Sequence, residues 1–431
     1  MAQSPCTGRA LLCICLLASS WGTFGATVIT GGPPLPSSIQ GQLTRPTTAG
    51  QSGLSPIILV PGDGGSQIEA KLNKDDVPHY FCDRSTDFFS LWLNLELLVP
   101  FVIDCWVDNM KLIYDNVTRT TRNNDGVAIQ IPGFGNTTSV EYVDSSRLPI
   151  SGYFNIMADQ LVKMGYQRGV DLRGAPYDFR KAPNELGDYM KQVKALIEET
   201  YQTNKGRKVV LLCHSMGCSL MLYLLNRQPQ QWKDQYVKSL FTLAGPWGGA
   251  VKSVKAFASG DNFGVIVVPT LTIRDDERTF PSLAYLLPSD NVFASEKVVV
   301  QTEHKQYTVG NYGDLFKDIN YQVGYNMWVD VRNLTYDLTP PGVEVYCVHG
   351  TGLDTMDKLI YEKNRFPDEQ PDKIEYADGD GTVNVESLQA CSRWKGQQSQ
   401  PVHYMPVKGL DHMQVLYDLK IMQNLLDHAA T

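Results

Sequence analysis

The stretch Val209-Val210-Leu211-Leu212-Cys213-His214-Ser215-Met216-Gly217 decides the fold. Its first half is an unbroken apolar run, the signature of a strand buried on both faces, and its second half sets a serine at a strand-to-helix turn. Such a turn is strained and crowded by neighbouring backbone, so small residues are favoured two positions either side of the serine. Gly217 satisfies this on one side, while Cys213 stands where the usual G-x-S-x-G pattern has glycine. A serine displayed in this way is a candidate nucleophile for acyl transfer.

Working outward, residues 56–60, 239–243 and 343–347 repeat the short apolar run. Helical patterns intervene: Leu186, Met190, Val193 and Ile197 recur at helical spacing before the serine strand, and residues 216–225 follow the turn. This alternation predicts an α/β fold whose order resembles an α/β-hydrolase core over residues 55–431. Between Pro246 and Pro341 the alternation blurs into charged turns such as Arg274-Asp275-Asp276-Glu277-Arg278, which reads as a cap or lid inserted over 247–341.

The 431 residues are 43% hydrophobic and 19% charged, enough for a large core. A net charge of -8 without a concentrated basic face argues against nucleic acid as a partner. Arg9 followed by the apolar residues 10–18 and small residues through Ala26 has the layout of a cleaved secretory signal over 1–26. That run is shorter than the roughly 20 residues that span a bilayer. Residues 27–54, rich in Gly, Pro, Ser and Thr, read as a flexible leader.

Cleavage of the signal leaves Cys82, Cys105, Cys213, Cys218, Cys347 and Cys391 in an oxidising compartment. Pairing is not readable from sequence. With Cys213 and Cys218 left as thiols in the crowded elbow, Cys82–Cys105 and Cys347–Cys391 is the expected pairing. Asn116-Val-Thr, Asn136-Thr-Thr and Asn333-Leu-Thr are N-glycosylation sequons.

A serine nucleophile needs an imidazole to take its proton and a carboxylate to hold that imidazole, and in this fold they follow in the order acid, then histidine. His412, behind the short strand 404–407 and ahead of a helix carrying Leu416, Leu419 and Met422, stands in the expected histidine loop. His403 and His428 read as packing or surface residues, His428 at a frayed terminus. The acid falls in Asp378-Gly379-Asp380-Gly381-Thr382-Val383, where Asp380 is preferred over Asp378 although the residues alone separate them poorly. No further ligand spacing surrounds this loop, so neither metal nor cofactor is expected. An oxyanion hole draws one amide from the residue after the nucleophile, Met216, and one from the loop after an early strand, in which Asp63 of Pro61-Gly62-Asp63-Gly64-Gly65-Ser66 is placed.

Together with Leu91-Trp92-Leu93-Asn94, Arg173-Gly174-Ala175-Pro176-Tyr177-Asp178 and Ala244-Gly245-Pro246-Trp247-Gly248-Gly249, these words resemble the lecithin:cholesterol acyltransferase and lysosomal phospholipase A2 family over nearly the whole chain after the leader. The resemblance implies Ser215, Asp380 and His412 as triad and the Asp63 and Met216 amides as oxyanion hole, and it supports both disulfide pairs. It is nearer the lysosomal phospholipase branch, on residues 228–233, 258–262 and 286–288. Gly64, Ser66, Phe179 and the long leader depart from the family pattern and bear on substrate preference. The implied activity is removal of a fatty acyl chain from a glycerophospholipid and its transfer to water or to the primary hydroxyl of ceramide, in the lysosome or after secretion. A sterol acyltransferase and a non-catalytic lipid-binding protein are the competing readings. Oligomeric state is not legible.

Residues 88–103 are too apolar for an ordinary surface loop and are closed off by Cys82 and Cys105; the residues alone fit a core segment as well as a membrane-docking element, and the family resemblance implies the second, with 79–106 as a membrane-binding segment and Leu91, Trp92 and Leu98 as its lipid contacts. Acid operation poses a difficulty, since a histidine of ordinary pKa, about 6.5, is mostly protonated in a lysosome.

Overall fold

The computed structural model describes residues 43–44, 53–99, 101–261 and 269–430, all within one compact unit, Pro36–Thr431. The expected signal and nearly all of the leader lie outside the described residues.

Six parallel strands form the central sheet: β1 (Ile57–Val60), β2 (Leu172–Gly174), β3 (Val209–His214), β4 (Val237–Leu243), β5 (Glu344–Thr351) and β6 (Val402–Lys408). Their spatial order is β2-β1-β3-β4-β5-β6. The chain begins in the interior at β1, runs out to the β2 edge, and returns to β3 on the other flank of β1. Strand order therefore reverses between β1 and β3, and in open α/β sheets the crevice at the carboxyl ends of such a pair is where ligands bind. Every residue of β1 and β3 is buried, as continuous apolar runs require of strands covered on both faces. The helices α1 (Gly187–Thr203), α2 (Met216–Leu225) and α3 (Leu419–Ala430) follow the predicted periodicities. His428 departs from expectation: α3 continues to Ala430, and the imidazole is buried, bonded to Tyr346 and Ser239.

The region between β4 and β5 contains helices but also strands Val298–Gln301 and Gln306–Thr308, which join Leu353–Ile360 and Lys373–Gly379 in a second, four-stranded sheet. Half of that sheet thus comes from chain beyond 341. Lys373–Gly379 is half exposed and reads KIEYADG, too polar to announce itself as a strand.

Both expected disulfides are present, Cys82–Cys105 and Cys347–Cys391, and Cys213 and Cys218 are buried thiols. Leu91 and Leu98 are 0% and 3% exposed, so the structure corrects the expectation that they contact lipid: the apolar character of 88–103 is largely spent on the core, through a three-stranded sheet and the helix Ile103–Met110. Trp92 is half-buried, its indole N–H donating to the Gly64 carbonyl at 2.8 Å. The exposed apolar side chains near this segment are Tyr80, Phe81, Phe88 and Phe101. No helix among the described residues is long and apolar enough to cross a membrane.

On the helix Thr270–Glu277, Asp276 and Glu277 are each 1% exposed, and burial pushes both carboxyls well above their ordinary values. Arg180 and Lys111 oppose the shift at Asp276, and the Asp261 amide opposes it at Glu277, without cancelling it. A carboxyl raised on folding contributes stability below its unfolded value, here near 3.8 and 4.5, and loses it as pH climbs through the folded value. These two carboxyls thus raise the melting temperature in mild acid relative to neutral pH. In Asp276→Asn/Glu277→Gln that difference should shrink by roughly 2–5 °C in calorimetry; an unchanged difference would show that these carboxyls do not govern it.

Candidate active site

At Ser215 the chain leaves β3 and enters α2 with φ 52° and ψ -131°, a left-handed conformation that costs a non-glycine residue strain. The turn is possible because two residues that crowd it, Gly217 and Gly62, have no side chains. A Cβ on Gly217 would lie 2.2 Å from the Pro61 carbonyl oxygen, and one on Gly62 would lie 2.6 Å from Ser215 Cβ. The small residue demanded before the serine is met by the fully buried Cys213. The loop after β1 and the turn after β3 are thus pressed together at the sheet's reversal point.

Ser215 Oγ lies 2.9 Å from His412 Nε2, and His412 Nδ1 lies 2.7 Å from Asp380 Oδ2. Asp380 is fully buried; its other oxygen, Oδ1, accepts the Thr382 and Val383 N–H groups at 3.0 and 2.8 Å. Burial by itself would raise this carboxyl, but His412 and the two amides together outweigh it, and the net shift is downward. Asp380 therefore stays ionised beside the imidazole. Asp378 is placed differently: next to last in the strand Lys373–Gly379, it lies at the surface, bonded to the Gly352 amide. His412 is held by its own backbone, its N–H donating to the Asp380 carbonyl at 2.9 Å. Asp411 Oδ1 accepts the Met413 and Gln414 amides and fixes the turn that follows.

Met216 opens α2, where the first-turn N–H groups have no intrahelical acceptor and the helix dipole favours a developing negative charge. Asp63 stands across the crowded contact in the loop after β1. Its carboxyl is pushed up to about 7 by desolvation, against the opposing pull of Lys252 and the Gly64 amide. Sequence reasoning passed over two buried side chains here. Tyr153 accepts the Gly62 N–H at 3.0 Å through its hydroxyl oxygen, and His214 is bonded to both Tyr153 and the His412 carbonyl. Nothing in local sequence marks Tyr153; His214 was visible only as a neighbour of the serine. Among the described residues no cluster of His, Cys, Asp and Glu is arranged to hold a metal.

A family model described as Lecithin:cholesterol acyltransferase matches residues 88–419. The chain belongs to the lecithin:cholesterol acyltransferase family. Among its relatives, "Lysosomal phospholipase A and acyltransferase" of Rattus norvegicus is 47% identical over 362 residues, covering 84% of this chain and 87% of the relative. The Homo sapiens protein of that name is 46% identical over the same shares. "Phosphatidylcholine-sterol acyltransferase" of Mus musculus is 39% identical over 398 residues, 91% of this chain and 90% of the relative. The lecithin:cholesterol acyltransferase family match spans the serine turn, the Asp380 loop and His412 together, and begins beyond the Asp63 loop.

With the Asp63 amide in the expected oxyanion role, an Asp63 carboxylate would oppose the negative charge developing beside it, whereas the neutral acid would not. Activity should therefore fall as pH rises through about 7. Asp63→Asn, which stays neutral, should extend activity toward alkaline pH in a rate profile on a soluble ester while changing the rate in mild acid by no more than about threefold. An alkaline limb that stays in place would assign it to another group.

Proposed function

We propose that the chain is a serine-dependent phospholipase A and acyltransferase, which moves a fatty acyl group from a glycerophospholipid onto Ser215 and then to water or to the primary hydroxyl of ceramide. The observation that carries this reading is the hydrogen-bonded line Ser215–His412–Asp380 at the sheet's reversal point, in a chain sharing 47% identity with a lysosomal phospholipase A and acyltransferase.

In the first half-reaction, Ser215 Oγ attacks the ester carbonyl carbon while its proton passes to His412 Nε2. Asp380 holds the imidazole by Nδ1 and stabilises the imidazolium. The Asp63 and Met216 amides donate to the tetrahedral oxyanion. Collapse breaks the carbon–oxygen bond to the lysophospholipid, whose oxygen takes the proton from His412, leaving acyl-Ser215. Water or a lipid alcohol then gives its proton to the same nitrogen as it attacks, releasing a fatty acid or a new ester and restoring the serine.

A neutral Asp63 and the acid-favouring pair Asp276 and Glu277 suit work in an acidic compartment, which agrees with a lysosomal destination reached through the secretory route. Asn116, Asn136 and Asn333 are exposed, as glycosylation requires. Lipid contact is assigned to the edge of 79–106, through Tyr80, Phe81, Phe88 and Phe101, while Trp92 lines the inner end beside the oxyanion loop. The sterol acyltransferase reading, supported by the 39% relative, is told apart by its acceptor.

Phosphatidylcholine vesicles containing ceramide and cholesterol, incubated in mild acid and read by mass spectrometry, should yield free fatty acid and 1-O-acylceramide from wild type, with Ser215→Ala reduced at least about a thousandfold. Cholesteryl ester in place of acylceramide would favour the sterol reading, and undiminished products from Ser215→Ala would sink the serine mechanism. Separately, Phe81→Asp/Phe101→Asp should lower vesicle binding by roughly 10-fold or more, since burying one such ring is worth about 1.5–3 kcal/mol. The soluble-ester rate should stay at the wild-type level, and equal loss in both assays would argue against a docking role.

A further inference from the structure

One buried imidazole beside the active site takes no part in the proton transfers. His214, the last residue of β3, is 1% exposed, and its two ring nitrogens are both engaged. Nε2 lies 2.8 Å from the His412 carbonyl oxygen, and Nδ1 is bonded to the Tyr153 hydroxyl. A carbonyl oxygen only accepts, so Nε2 carries the hydrogen and Nδ1 is left as an acceptor for the Tyr153 O–H. The Tyr153 oxygen in turn accepts the Gly62 N–H at 3.0 Å. The result is a fully satisfied chain in which Gly62 donates to Tyr153, Tyr153 to His214, and His214 to His412. Burial, with His412 alongside, pushes the His214 imidazole down to about 3, which keeps this tautomer neutral through the acidic range.

The packing is as close as the bonding. The Tyr153 and His214 rings have centroids 5.4 Å apart, and those of His214 and His412 are 4.8 Å apart. A Cβ on Gly65 would lie 2.8 Å from the Tyr153 ring, so the oxyanion loop lies directly against the tyrosine. Gly62 adjoins Asp63, whose amide is placed at the developing oxyanion, and His412 is the proposed base. These two groups sit on loops far apart in the chain, and no main-chain ladder joins Gly62 to His412.

We propose that Tyr153 and His214 are positioning residues that lock the oxyanion loop to the histidine loop, so that the Asp63 amide, Ser215 and His412 keep a common register during acyl transfer. This rests on the reading of Ser215 as nucleophile. Both side chains are buried, and each acts through the backbone it holds. A misplacement on the order of 1 Å can cost about 100-fold in rate, so a slackened relay should be visible in kcat rather than in substrate binding.

The test compares the full chain with Tyr153→Phe, His214→Gln, the double variant and Ser215→Ala on a soluble short-chain ester in mild acid. Tyr153→Phe removes one oxygen and keeps the ring, which makes it the variant that tests the relay even where His214→Gln does not fold. Its kcat should fall about 10- to 100-fold with KM within about twofold. The double variant should be no slower than the slower single variant, as expected of residues acting as one unit. Wild-type kcat in Tyr153→Phe, a rise in KM that accounts for the whole loss, or losses that multiply in the double variant would each overturn the relay. Activity retained by Ser215→Ala would instead overturn the nucleophile assignment beneath it, so the two failures are distinguishable.

Discussion

The approach of the Pro61 carbonyl to Gly217, so close that a Cβ would sit 2.2 Å from the oxygen, is the contact on which the rest of the site depends. It presses the loop after β1 against the first turn of α2 and leaves Ser215 in a positive-φ conformation between them. A side chain at Gly217 or Gly62 would push the two loops apart. Ser215, the proposed nucleophile, and the two proposed oxyanion amides are therefore set by one steric constraint, which the buried β1–β3 pairing holds in place. The strain at Ser215 persists because the sheet and helix on either side over-determine it.

Around this contact, carboxyl groups with the same intrinsic chemistry are driven in opposite directions. Asp380 is buried, yet two backbone amides and His412 together keep it ionised. Asp63 lacks comparable compensation, and desolvation raises it to about 7. Asp276 and Glu277, in the helical layer beyond β4, are likewise raised by burial. The difference lies in the number of donors each carboxylate faces, and it yields one acid that holds a base and three that favour acidic surroundings.

The parallel strands were legible because a strand covered on both faces has no reason to alternate polar and apolar residues. The second sheet was not: its strands are partly exposed, and Lys373–Gly379 carries Lys, Glu and Asp among its seven residues. The apolar stretch at 88–103 misled for a related physical reason. Hydropathy reports that side chains avoid water, but not whether core or lipid shelters them, and Leu91 and Leu98 are sheltered by core. Of the exposed rings, Phe81 lies just outside the loop that Cys82–Cys105 closes, and Phe101 lies within both that loop and the apolar stretch.

By itself the sequence determined the α/β alternation, the serine turn with its glycine, and the order of acid and histidine behind it, because these are encoded in runs of residues adjacent in the chain. The sequence preferred Asp380 over Asp378, and the tertiary structure adds the physical difference between them, which lies in burial and hydrogen bonding rather than in type. The tertiary structure alone brought Tyr153 between Gly62 and His214, a contact across 91 and 61 positions of chain that no local pattern announces. Periodicity records which face of an element avoids water; the partners found on that face belong to the packing.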